Sequence, residues 1–179
     1  MTDKHKRIVR IAQNGMVAAF YYGLTMLMMA VPVISQFGMM QCRFSEVLVL
    51  FAFFRPDLTI GLTIGCFFAN LTGALTGLGF PQDMLFGTLA TLLACGLEAY
   101  ASPRLAIACL WPVIANGVIV GAELYYFFDA SIPMWIQMGW VALGELIAIA
   151  VGYAIFMLLI RNHGFMKYLM PIRHAEVKW

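Results

Sequence analysis

Residues 131–160 read SIPMWIQMGWVALGELIAIAVGYAIFMLLI, thirty positions with one ionisable side chain, Glu145. Crossing the ~30 Å hydrocarbon core of a bilayer takes about 20 apolar helical residues. The stretch is long enough to cross, and the Ser131-Ile132-Pro133 triplet supplies a helix start. Its neighbours repeat the pattern. Expected apolar helices cover 8–31, 58–75, 82–100 and 102–127, and a shorter one covers 45–54. Pro32, Arg55-Pro56-Asp57, the 77–81 turn and Ser102-Pro103 punctuate them, because proline disfavours helix at the residue before it. Ser102 is expected to act as N-cap, with Pro103 at the first helical position. Over the 179 residues, 63% are hydrophobic and 11% charged. Soluble domains carry about 25% charged residues, so lipid must be the solvent. The expected fold is all-α, a polytopic bundle of six transmembrane helices forming one domain over 1–179. The basic start, Lys4 to Arg7, resembles a signal sequence, but the apolar stretch after it has spanning length and no cleavage-type site follows. A retained first helix is therefore expected.

The charges orient the bundle. Lys4, Lys6, Arg7, Arg10, Arg55, Arg104, Arg161, Lys167, Arg173 and Lys178 fall on one side. Arg43 alone of the eleven basic residues falls on the other. Basic residues gather on the cytoplasmic face, so both termini are expected to be cytoplasmic, in the cell membrane.

Several chemistries are excluded. There is no G-x-x-x-x-G-K-[ST] phosphate loop, no H-E-x-x-H and no G-x-S-x-G. The histidines, His5, His163 and His174, lie near the termini, and the four cysteines lack metal-ligand spacing. No enzyme activity, metal, cofactor or nucleic-acid partner is expected. What remains is polar chemistry at membrane depth, where an ionisable group costs several kcal/mol and therefore usually faces a cavity or a partner. At 1.5 Å per residue, Asn70, Asn116, Glu123 and Glu145 can line one chamber open to the outside. Arg43 and Glu46, three apart, sit at its mouth. Trp111 and Trp140 offer flat aromatic faces for stacking a planar heterocycle. Glu98 falls deeper and is expected to pair with Arg104. Ala12, Gly15 and Ala19 form a groove of small residues on one face of the first helix.

The stretch Gln41-Cys42-Arg43-Phe44-Ser45-Glu46-Val47-Leu48 resembles the queuosine-precursor transporter (QueT-like) family. So do Gly61-Leu62-Thr63-Ile64-Gly65-Cys66-Phe67-Phe68-Ala69-Asn70-Leu71 and Asp83 with Phe86 to Leu92. Members of that family are substrate-binding S components of energy-coupling factor (ECF) importers. The resemblance implies a six-helix subunit that captures its ligand outside. It also implies partners, a transmembrane T component and two ATPase subunits that hydrolyse ATP, with Ala12, Gly15 and Ala19 docking the T component. The ligand implied is a deazaguanine. The Met-rich outer loop, with Met39 and Met40, leaves room for a larger vitamin such as cobalamin. A different class, a stand-alone secondary transporter coupling ion movement through Glu145 or Glu123, also fits the pattern.

Overall fold

The computed structural model describes residues 3–29, 42–162 and 164. Among them there is no strand, and the described residues form six helical segments. These are α1 (Asp3–Met29), α2 (Phe44–Phe54), α3 (Pro56–Thr76), α4 (Pro81–Ala101), α5 (Leu105–Phe127) and α6 (Met134–Ile160). Four of them, α3 to α6, are long and apolar enough to cross a membrane.

The other two differ for physical reasons. In α1 the apolar pattern is broken by Gln13 and Asn14, which tie helices together. Asn14 Oδ1 accepts the Gly61 N–H at 2.7 Å, and its Nδ2 donates to the Asp57 carbonyl at 2.9 Å. Gln13 accepts from Arg55 at 2.8 Å, and Arg55 also pairs with Asp57 at 2.7 Å. These bonds satisfy the backbone where α2 breaks and α3 begins, groups that would be costly to leave bare in lipid. The segment α2 is a 3-10 helix over Phe44–Leu50 that runs into one α turn, Phe51–Phe54. At eleven residues it is too short to cross alone. It is instead the plug of the bundle: Val49, Leu50, Ala52 and Phe53 have no exposed surface, and Phe54 stacks on Phe156 of α6 at 5.5 Å.

Packing runs α1–α3–α4–α5–α6, and α6 and α1 both contact the 3-10 part of α2, which closes the ring. Two contacts require glycine. A Cβ on Gly61 would lie 2.5 Å from the Asn14 carbonyl oxygen, and one on Gly121 would lie 2.5 Å from the Met138 Cα. Both obstacles are backbone, so the α1–α3 and α5–α6 approaches depend on the missing methyl.

Two expected helix starts are corrected. Ser102 closes α4, with its hydroxyl donating to the Leu97 carbonyl at 3.1 Å, and the next helix begins at Leu105 without a side-chain cap. Ser131 likewise bonds Asp129 in the turn, and α6 begins at Met134 after Pro133. Residues 30–41 and most of 161–179 lie outside the described residues, and with them Met39, Met40, Lys167, Arg173 and Lys178.

Candidate functional site

A buried polar cluster is built around α2, whose 3-10 helix carries Glu46 inward with Arg43 just before it. Glu46 is fully buried. Its Oε1 accepts a short hydrogen bond from the Tyr21 hydroxyl of α1 and another from Thr91 of α4 at 3.2 Å. Its Oε2 has no hydrogen-bond partner among the described residues. Two donors from different helices therefore fix the carboxylate and leave one oxygen as an acceptor.

Arg43 makes an ion pair across helices and stays within electrostatic reach of Glu46. The guanidinium lies 3.3 Å from Asp83, at the start of α4, and both side chains are buried. Asn70 completes that corner: its Nδ2 donates to the Asp83 carbonyl at 2.9 Å and lies 3.4 Å from Cys66 Sγ. The floor beneath is Gly87. A Cβ there would sit 2.9 Å from Asn70 Nδ2 and 3.1 Å from an Arg43 guanidinium nitrogen. Gly87→Ala is therefore expected to lower stability by about 1–3 kcal/mol, the usual cost of overpacking, and to weaken ligand binding with it. Gly96 on the same helix has open space around its Cβ direction. Gly96→Ala should leave thermal unfolding and binding close to wild type, so unfolding and binding curves of the pair check the close approach.

The remaining members of the cluster come from α5 and α6. Asn116, Glu123 and Glu145 are each at most 3% exposed. Asn116 donates to the Pro112 carbonyl one turn back at 3.1 Å. Glu123 lies against Asp83, and Glu145 lies within electrostatic reach of Glu46, Arg43 and Glu98. Both oxygens of Glu123 and Oε1 of Glu145 lack a hydrogen-bond partner among the described residues. Carboxyls held in a low-dielectric interior without donors have acceptor capacity left for a ligand.

Three sequence expectations meet a different arrangement. Trp111 is turned to the α4–α5 junction, where its indole N–H donates to Ser102 at 2.9 Å. Trp140 is 37% exposed on the outer face of α6. Neither is brought into the polar cluster. The Glu98–Arg104 pair does not form: Arg104 is exposed, whereas Glu98 is fully buried and faces inward, within electrostatic reach of Glu46. The small-residue groove is open. Ala12, Gly15 and Ala19 are exposed, and a Cβ on Gly15 would touch nothing within 4 Å. Gly15 lines a hollow of about 530 Å³ between α1 and α3, which continues at Ala18 and Ile64 into one of about 290 Å³.

Sequence reasoning missed Tyr21, Cys66, Asp83, Gly87 and Thr91 as members of the cluster. Tyrosine, threonine and cysteine are common in apolar helices, and only Asp83 carried a signal, a carboxylate at a helix start. Among the described residues no group of three or more His, Cys, Asp or Glu side chains could hold a metal ion.

Among the described residues an all-helical apolar bundle buries arginine, asparagine and several carboxyls in its interior, the build of a membrane protein with a polar centre. The family model described as QueT transporter matches residues 11–161, and the chain belongs to that family. It is a membrane transport protein rather than an enzyme. It is similar to the queuosine precursor transporter QueT of Lactococcus lactis subsp. cremoris (strain MG1363). The two are 29% identical over 167 residues, which covers 83% of this chain and 90% of the relative. No solved structure matches significantly.

Proposed function

We propose that the chain captures a queuosine precursor, a deazaguanine, and carries it inward as the substrate-binding S component of an ECF-type importer. The name of the Lactococcus lactis relative supports the substrate class. The observation that carries the reading is Glu46, held at Oε1 by Tyr21 and Thr91 with Oε2 left as an acceptor. A guanine-like edge presents adjacent N–H donors to such a carboxylate, and charge-assisted bonds are the strong ones. Arg43 orients the ligand, and Asn70, Asn116, Glu123 and Glu145 contact its body. A cobalamin-class ligand is the poorer fit. It needs wide apolar and aromatic contact, and Trp111 and Trp140 face away from the cluster.

The open Ala12, Gly15 and Ala19 face suits close approach by a T-component helix, since small residues let backbones meet. ATP hydrolysis then falls to two ATPase subunits, because this chain has no phosphate-cradling loop. In this reading all six helical segments count as membrane elements, and both termini are cytoplasmic. Uptake into liposomes tests the proposal. With T component and ATPases present, ATP should drive accumulation of a labelled deazaguanine, and this chain alone should drive none. Uptake by the chain alone under a proton or sodium gradient would favour an ion-coupled secondary transporter working through Glu145 or Glu123.

A further inference from the structure

The two hollows beside α1 form one groove with α3, and the ends of that groove differ. Ile11, Gly15, Ala18, Ile60 and Ile64 wall the larger hollow, and Ala19, Tyr22 and Phe68 help to wall the smaller. Ile11 and Ile60 are 65% and 66% exposed, so the apolar wall stands open. The end nearer the start of α1 is charged. Arg7 and Arg10 both line it, and at three positions apart they share one face of the helix. Among the described residues no carboxylate pairs with either. Asp57 stands at the same end, within electrostatic reach of Arg10, but both of its oxygens accept from Arg55. The Asn14 amide beside them is spent on the Asp57 carbonyl and the Gly61 N–H. From Arg10 to Tyr22 the groove follows ~18 Å of helix at 1.5 Å per residue. One leaflet supplies about 15 Å, half of the hydrocarbon core. The groove is thus one leaflet long, apolar along its wall, and headed by two cations that no acid answers.

We infer that this groove binds an anionic phospholipid, its phosphate held by Arg7 and Arg10 and one acyl chain laid along Ile11, Ala18, Ile64 and Tyr22. Nothing in this depends on which solute the interior takes. A guanidinium offers a planar fork of donors that fits phosphate oxygens two at a time. Two arginines side by side repel each other, and an anion between them removes the repulsion. A zwitterionic headgroup brings its own cation to the same place and cancels much of the gain, whereas a net negative headgroup keeps it. Gly15, Ala18 and Ala19 leave the width that a chain of methylenes needs, and the larger hollow alone measures about 530 Å³. Gly15 also lies on the face assigned above to a partner helix. Lipid and partner therefore exclude each other, and the lipid covers the apolar wall while the partner is away.

Native mass spectrometry of the purified full chain tests this. The chain is equilibrated in detergent with equal amounts of phosphatidylglycerol and phosphatidylcholine that carry the same oleoyl chains. Wild type should retain one phosphatidylglycerol, preferred over phosphatidylcholine by about tenfold, as expected for two arginines at an anionic headgroup. In the double variant Arg7→Gln, Arg10→Gln the preference should vanish, with thermal unfolding confirming the fold. The double variant Lys4→Gln, Lys6→Gln removes as much charge from the same end of α1 without touching the groove wall, and it should keep the preference. Gly15→Leu narrows the groove and should lose the retained lipid, and it decides the matter if the arginine variant does not fold. No preference in wild type overturns the inference, and so does an unchanged preference in the folded arginine variant. Equal loss in the lysine variant would mean diffuse attraction to a basic helix and would overturn it too. Displacement of the lipid by excess glycerol phosphate would assign the arginines to a free phosphate ester instead. Full retention by Gly15→Leu would place the lipid elsewhere.

Discussion

Arg43→Met is expected to lower stability by about 3–5 kcal/mol, the cost of leaving a buried charge without its partner. The guanidinium stands 3.3 Å from Asp83 with both side chains buried, and Glu123 lies against the same carboxylate. Removing the cation leaves acids facing acids in a place water does not reach. For a chain of this size the loss corresponds to roughly 10 °C in thermal midpoint. Adding Asp83→Asn should recover more than half of it, because an amide carries no charge and can share hydrogen bonds with Glu123. Thermal unfolding of the two single variants and the double in detergent checks the pairing. Simple additivity of the two losses would show that the residues act independently.

Gly15→Leu is expected to abolish transport while leaving ligand binding within about twofold of wild type. The reasoning is geometric. Gly15 lies on the exposed side of α1 between Ala12 and Ala19, and its Cβ direction is empty, so leucine meets no obstacle inside the chain. The same leucine would fill part of the 530 Å³ hollow it borders, where a partner helix must come close. Tyr21, one and a half turns further along α1, points the other way and holds Glu46. Co-purification with a T component should fall to background, and ATP-driven uptake with it. Normal assembly of the variant would show that this face meets lipid instead.

Much of the buried polar cluster could be read from the sequence because charge in an apolar chain is conspicuous. Glu46, Asn70, Asn116, Glu123 and Glu145 stand out against their surroundings, and all are buried in the folded chain. Their partners were not legible. Tyr21 and Thr91 look like ordinary helix residues, and only the packing of α1 and α4 around α2 makes them donors to Glu46. Gly87 has no side chain to announce that Arg43 and Asn70 rest on it. Glu98 was given the wrong partner, because a depth counted along one straight helix says nothing about which way the side chain turns. The tryptophans failed for the opposite reason: aromatic rings at membrane depth suit lipid and helix junctions as readily as a ligand. The fold divides in the same way. Long apolar runs declared α3 to α6, whereas α1 hid part of its apolar character behind Gln13 and Asn14, whose amide groups are spent on neighbouring helices. The short α2 could be located by its breakers, but its role as the central plug comes from tertiary packing.

The central claim is that this interior binds a guanine-like ring through Glu46. Equilibrium binding of a labelled deazaguanine to the purified chain, with guanine and a corrinoid as competitors, tests it most directly. The expected result is saturable binding displaced by guanine and not by the corrinoid, weakened in Glu46→Gln by the roughly 1–3 kcal/mol of a charged hydrogen bond. Displacement by the corrinoid alone, or an affinity unchanged in Glu46→Gln, would contradict it.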